Sequence, residues 1–235
     1  MEAIILAGGK GERLQAVVSD VPKPMAPING RPFLEYLLDY WIAQGIERFT
    51  LATGYLAKAI EARFGNQYKN KPIQYSVETE ALGTGGGLML AAKKIASSET
   101  FLVVNGDTYF EVPLKQFIEK HSSHNSDWSI ALRSVKYNDR YGSIFMNSQN
   151  EIIQFTSALS DSEESLINGG VYLIKKKILS KFKWSGKMVS LEKELVPQLI
   201  SQDEKIHGFV FKNQFIDIGI PKDYDAAKQM LTRRN

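Results

Sequence analysis

The feature that most narrows the folds open to this chain is a regular exchange of apolar runs and helical segments over its first 107 residues. "AIILA" (3–7) is a continuous apolar run, the pattern of a strand buried on both faces. "PFLEYLLDYWIAQG" (32–45) carries apolar residues at helical spacing, with Gly45 placed to end it. "RFTLAT" (48–53), "PIQYSVE" (72–78) and "TFLVVNGD" (100–107) read as further strands, and "LAKAIEARFG" (56–65) and "GGGLMLAAKKI" (85–95) as helices between them. Successive units of this kind predict a parallel sheet covered by helices. Beyond Asp107 the strand-like stretches 127–135, 142–147, 151–155 and 168–174 follow at short intervals. Between the last two, "TSALSDSEES" (156–165) is polar and reads as a mobile loop. A helix near 190–202, strands at 206–211 and 214–218, and a helix from Pro221 close the pattern. No repeat, low-complexity tract or linker divides the chain, so one mixed α/β domain with two sub-regions is expected.

Bulk composition excludes several functions. The net charge of +3 over 235 residues is too small for a nucleic-acid binder, so any positive potential is local, as around Lys10, Arg13 and Lys23. There is no cysteine, which removes disulfides, a thiolate nucleophile and cysteine-ligated zinc. No apolar run approaches the ~20 residues of a membrane-spanning helix, and a cytoplasmic, membrane-free protein is expected. His121 and His124 lie in a polar stretch and are expected at the surface.

The first strand runs into "GGKGERL" (8–14). One glycine suffices for a turn; Gly8, Gly9 and Gly11, interleaved with Lys10 and Arg13, suggest a backbone that an anion approaches closely. A dinucleotide-binding loop requires a third glycine where Leu14 stands, and the closing Gly-Lys-Ser/Thr of a P-loop is missing. What fits is a phosphate grip made of backbone N–H groups and the fork of Arg13. Lys23, stiffened between Pro22 and Pro24, is suited to hold a point charge on a phosphate. Asp107 follows a buried strand and Asn105-Gly106, and so projects from the sheet edge where α/β folds bind ligands.

"LAGGKGERL" followed by "PKPM" resembles the signature of the sugar-phosphate nucleotidyltransferases, enzymes that join a nucleoside triphosphate to a sugar 1-phosphate and release pyrophosphate. The resemblance continues through "EALGTGGGL" (80–88), "VVNGDTYF" (103–110), "NGGVY" (168–172), "SLEKEL" (190–195) and "FIDIGIPKDY" (215–224). It implies a Rossmann-like three-layer α/β/α single domain, with residues 1–110 as the nucleotide-binding part and 111–235 as the sugar-phosphate-binding part. It also implies a Mg²⁺ cofactor held by Asp107 and Asp217. Arg13, Lys23 and Asp107 are then catalytic. Leu6, Ala7, Gly8, Gly9, Lys10, Gly11, Glu12, Glu78, Gly83, Thr84, Asn105 and Gly106 join them in binding the nucleotide. Glu12 departs from the usual threonine, which removes one expected side-chain contact to the triphosphate.

Glu78 stands where related thymidylyl- and uridylyltransferases carry glutamine. A carboxylate only accepts, and guanine offers the adjacent donors N1–H and N2–H₂, whereas uracil and thymine offer one N–H flanked by carbonyls; this favours GTP. On the sugar side the resemblance implies Gly142, Asn168, Gly169, Glu192 and Lys193. The family's Glu-Lys pair after strand 151–155 is replaced here by Phe155-Thr156-Ser157-Ala158, so the missing charge is expected from Lys193 or Arg140, or the phosphate is held less tightly. Among these enzymes the chain most resembles the D-glycero-α-D-manno-heptose 1-phosphate guanylyltransferases of bacterial surface-glycan synthesis. Three alternatives stand beside this. One is transfer to mannose, glucose or N-acetylmuramate 1-phosphate with GTP or UTP. Another is an inactive nucleotide-sugar sensor or scaffold, which should have lost Arg13, Lys23, Asp107 or Asp217. The last is a dehydrogenase, which Leu14 argues against. A monomer or small homo-oligomer without an appended β-helix or acyltransferase domain is expected.

Overall fold

The computed structural model describes residues 1–9, 11–14, 17–18, 20–96, 98–136, 140–156 and 164–231. Fourteen strands and six α-helices are found there. They run β1 (Glu2–Ala7), β2 (Pro27–Ile28), β3 (Arg31–Pro32), α1 (Phe33–Ala43), β4 (Arg48–Thr53), α2 (Ala57–Phe64), β5 (Gln67–Tyr68), β6 (Lys71–Val77), α3 (Gly83–Ala92), β7 (Thr100–Asn105), β8 (Thr108–Phe110) and α4 (Leu114–Ser123). After these come β9 (Trp128–Lys136), β10 (Ser143–Met146), β11 (Ile152–Thr156), β12 (Glu164–Lys175), α5 (Val196–Ser201), β13 (Ile206–Val210), β14 (Phe215–Asp217) and α6 (Pro221–Leu231). Eight strands form one sheet in the order β13-β9-β12-β7-β1-β4-β6-β5. All run the same way except β12 and the short β5, which are antiparallel to their neighbours.

β1 and the middle of β7 read as unbroken apolar runs because both faces of the sheet are covered there. Ala3 and Ile5 of β1 pack with α1 and α6, while Ile4 packs with α3 and α5. Val104 and Val103 of β7 divide between the same two cores. β1 is central, and the chain extends from it first through β4 and β6, then returns through β7 on its other side. The carboxyl ends of β1, β4, β6 and β7 therefore lie on one edge, at the crevice where strand order reverses.

Three expectations need correction. The segment before β9 contains α4, and His121 lies on its buried face with Leu114 and Phe117 rather than at the surface. A histidine in the apolar stripe disguised the helical period. His124 is half-buried, and its ring meets that of His207 edge-on at 5.2 Å. The helix expected near 190–202 divides into a wide turn over Leu191–Leu195 and the α-helix α5, with Pro197 in its first turn. Leu195 and Val196 reach back five residues to Ser190 and Leu191. Thr156, Glu164 and Ser165 belong to strands, and residues 157–163 of the expected loop lie outside the described residues.

His121 Nδ1 meets Ser129 Oγ at 2.8 Å, and Nε2 has no partner among the described residues. Burial lowers its pKa from 6.5 to about 4; the charge of Lys175 adds to this and that of Asp127 opposes it. The unfolded chain then binds the extra proton first, so this histidine's contribution to stability is complete above pH 6.5 and is lost as the pH falls from there towards 4. It should remove on the order of 2 kcal/mol of stability between pH 7 and 5. Urea unfolding of wild type and His121→Gln at both pH values checks this. The variant should lose less stability on acidification, and equal losses would clear His121 of the effect.

Candidate active site

The glycine loop leaves β1 at the crevice. Gly11 has φ +63°, and a Cβ there would come within 2.8 Å of Lys23 Cβ, so the bare backbone lets the lysine stem pack against the loop. Leu14, in the place of a dinucleotide-loop glycine, is buried and its N–H bonds Gly11 O at 2.9 Å, which pins the turn to the core. Arg13 is exposed in this turn and lines the cleft. Lys10 and the side chain of Glu12 lie outside the described residues.

Lys23 opens a tight turn held by Met25 N–H to Pro22 O (2.7 Å), with Pro24 buried beneath it. Its Nζ sits 2.5 Å from Asp107 Oδ2 and 3.9 Å from Asp217 Oδ1. The two aspartates come together because β14 pairs with β8, placing Asp217 opposite Thr108, while Ile218 N–H bonds Asp107 O at 3.0 Å. Burial acts to raise the pKa of Asp107, but the charge and hydrogen bond of Lys23, helped by Thr108, outweigh it and hold the carboxyl below its ordinary range. For Asp217 burial and then the charge of Asp107 prevail over Lys23 and Arg140, and the pKa is raised. Asp217 Oδ1 accepts from Arg140 at 3.0 Å and from Gly219 N–H at 2.6 Å, and Arg140 also bonds Asp223.

This pair fits a divalent cation. Both groups are oxygen donors, and both are half-buried in one crevice. Among the described residues no third acidic or histidine side chain converges on them. A hard cation there would take its remaining ligands from substrate phosphates and water, as magnesium prefers.

The cleft is about 660 Å³ and extends along the strand ends. Leu6, Ala7, Gly8, Gly9, Gly11, Arg13 and Lys23 line it from the loop side. Glu78, Gly83 and Thr84 line it from β6 and α3, and Asn105 and Asp107 from β7. Gly106 donates to Leu6 O at 2.8 Å and locks β7 to β1 at this edge. Glu78 N–H bonds Thr53 O at 2.7 Å, and its Oε2 accepts Leu82 N–H at 3.1 Å. A Cβ on Gly8 or on Gly87 would lie 2.7 Å from Oε1, so two glycines clear the way for that carboxylate oxygen to reach the cleft. Burial raises the Glu78 pKa, and the Leu82 N–H opposes it.

Beyond β7, Asn168 and Glu192 meet at a buried tyrosine. Tyr172 OH accepts from Asn168 Nδ2 at 2.6 Å and donates to Glu192 Oε1 at 3.2 Å. Burial and then the charge of Glu192 raise the Tyr172 pKa well above 10. Thr84 Oγ1 donates to Glu192 Oε2 at 3.1 Å and accepts Leu191 N–H at 2.9 Å, joining this group to the cleft. Ser190 Oγ accepts Lys193 N–H and Glu194 returns to Ser190 N–H, which explains the S-L-E-K-E pattern as a helix cap. The other sugar-side residues are not brought to this point: Lys193 is exposed, Gly169 packs against the Phe110 ring, and Gly142 lies in the link before β10. Sequence reasoning missed Tyr172 as the hub, Gly219 at a close approach, and Met188, an exposed residue lining the cleft without any pattern to mark it.

Known proteins resemble the chain over nearly its whole length. A D-glycero-alpha-D-manno-heptose 1-phosphate guanylyltransferase of Aneurinibacillus thermoaerophilus is 43% identical, covering 98% of each chain. The enzyme of the same name from Campylobacter jejuni is 39% identical over 95% of this chain and 97% of its own. The crystal structure of HddC from Yersinia pseudotuberculosis complexed with GMP-PN, 37% identical, matches with a TM-score of 0.84 over 97% of this chain and 98% of that one. Residues 2–234 match the nucleotidyl transferase family, and the chain belongs to it.

Proposed function

We propose that the chain transfers GMP from GTP to a sugar 1-phosphate, D-glycero-α-D-manno-heptose 1-phosphate or a close analogue, releasing pyrophosphate. The observation that carries this is one cleft holding the Lys23–Asp107 pair, the glycine loop and the Glu78 carboxylate in that order along the sheet edge. The names of the relatives support it.

A sugar-phosphate oxygen attacks the α-phosphorus of GTP. The new O–Pα bond forms as the Pα–O bond to the β-phosphate breaks, and its electron pair leaves on pyrophosphate. Both reactants are anions, so the work is alignment and neutralisation, with no side-chain nucleophile. The N–H groups of the glycine loop and Arg13 hold the triphosphate, and Lys23 places its charge beside the reacting phosphates. Asp107 and Asp217 would hold Mg²⁺, which when bound supplies the charge that lets two anionic groups meet. Glu192, fixed by Thr84 and Tyr172, offers its carboxylate to sugar hydroxyls. With Lys193 exposed and Arg140 beside Asp217, Arg140 is the better placed substitute for the family lysine.

Glu78 tests the base reading. GTP should be preferred, and ITP, lacking the N2 amine, should lose about tenfold to a hundredfold in kcat/KM, the value of one hydrogen bond to a charged group. Glu78→Gln should lose more activity with GTP than with UTP. The measurement is the GTP-over-UTP specificity ratio for both proteins, and an unchanged ratio would remove Glu78 from base recognition.

A further inference from the structure

Asn105 ends β7 and lines the cleft two residues before Asp107. Its amide lies against β12 where that strand breaks register between Asn168 and Val171. The break holds Gly169 and Gly170. A Cβ on Gly170 (φ +70°) would come within 2.9 Å of Asn105 Nδ2, and one on Gly169 within 2.4 Å of the Phe110 ring. The two glycines thus make room for one amide and one ring.

The amide nitrogen of Asn105 lies over Gly170, on the same strand as Tyr172, whose hydroxyl accepts from Asn168 and donates to Glu192. The other half of the amide, Oδ1, is buried and has no partner among the described residues. Buried carbonyls are almost always paired, so one left over at a substrate cleft is an acceptor kept for the substrate. Triphosphate oxygens offer it no donor. The base end, at β6, is three strand spacings from β7, about 14 Å. A hydroxyl remains, of the ribose or of the sugar, and the seat of Asn105 against Gly170 at the β12 register break puts it with the group on the β12 side.

We propose that Asn105 Oδ1 accepts a hydrogen bond from a hydroxyl of the sugar 1-phosphate, which makes Asn105 a sugar-selecting residue rather than a nucleotide-binding one. This rests on reading the Asn168–Tyr172–Glu192 side as the sugar subsite.

The test compares kcat/KM for heptose 1-phosphate and its monodeoxy analogues in wild type, Asn105→Leu and Asn105→Ser, with the KM for GTP measured alongside. In wild type, removal of one particular hydroxyl should cost about tenfold or more. In both variants that penalty should shrink to about threefold or less, with the sugar KM raised and the GTP KM within about threefold of wild type. Variants that keep the full penalty at every hydroxyl, or that raise the GTP KM instead, overturn the proposal. So does failure of both variants to fold, because an acceptor kept for substrate adds nothing to the folded chain. A wild type that makes no nucleotide sugar from any sugar 1-phosphate would instead overturn the reading on which the proposal rests.

Discussion

Asp107→Asn will fold and will lose on the order of a hundredfold to a thousandfold in turnover, corresponding to several kcal/mol of charge stabilisation. The substitution keeps the size of the side chain, and the backbone bond from Ile218 to Asp107 O is untouched. What it removes is one of the two carboxylates at the crevice and the close partner of Lys23. The same account expects a chelator to abolish wild-type activity and added Mg²⁺ to restore it. Steady-state pyrophosphate release, read with circular dichroism to verify the fold, is the check. Full turnover by Asp107→Asn, or by wild type in excess chelator, would sink the assignment of Asp107 and Asp217 to a cation.

Lys23→Ala should be nearly as damaging. Lys23 lies on a turn stiffened by two prolines, packs against Gly11, and carries its charge to within 4 Å of both aspartates (2.5 and 3.9 Å). Loss of a charge contact made in the transition state costs about 2.7–4 kcal/mol, or two to three orders of magnitude in turnover. Because the variant also leaves the half-buried Asp107 without its close partner, its thermal midpoint should fall as well. Turnover within threefold of wild type would mean that Lys23 is a structural partner of Asp107 and no more.

The first half of the fold was legible because its physics is local. Strands buried on both faces must be apolar throughout, as 3–7 and 101–104 are, and the helices between them carry their own periodicity. The second half was harder. The buried face of α4 includes His121, a residue whose type says surface, and only the fold supplies the Ser129 hydroxyl that accommodates it. The wide turn at Leu191–Leu195 has no signature beyond a cap and a nearby proline. In the cleft, the glycine loop, Lys23 and Asp107 could be picked out because their residue types are unusual for their positions. Tyr172 could not, since a buried tyrosine in a strand looks like core until Asn168 and Glu192 are seen to share its hydroxyl. Arg140 was one of two candidates for a missing charge, and its place beside Asp217 depends on a contact 77 residues along the chain.

The central claim is that this cleft carries guanylyl transfer to a sugar 1-phosphate, and its most direct test is pyrophosphate release with each of GTP, UTP, dTTP and ATP against a panel of sugar 1-phosphates. The account predicts the highest kcat/KM for GTP with D-glycero-α-D-manno-heptose 1-phosphate, strict dependence on both substrates, and one GDP-sugar formed per pyrophosphate. Preference for UTP or dTTP, or pyrophosphate released without a sugar 1-phosphate, would contradict it.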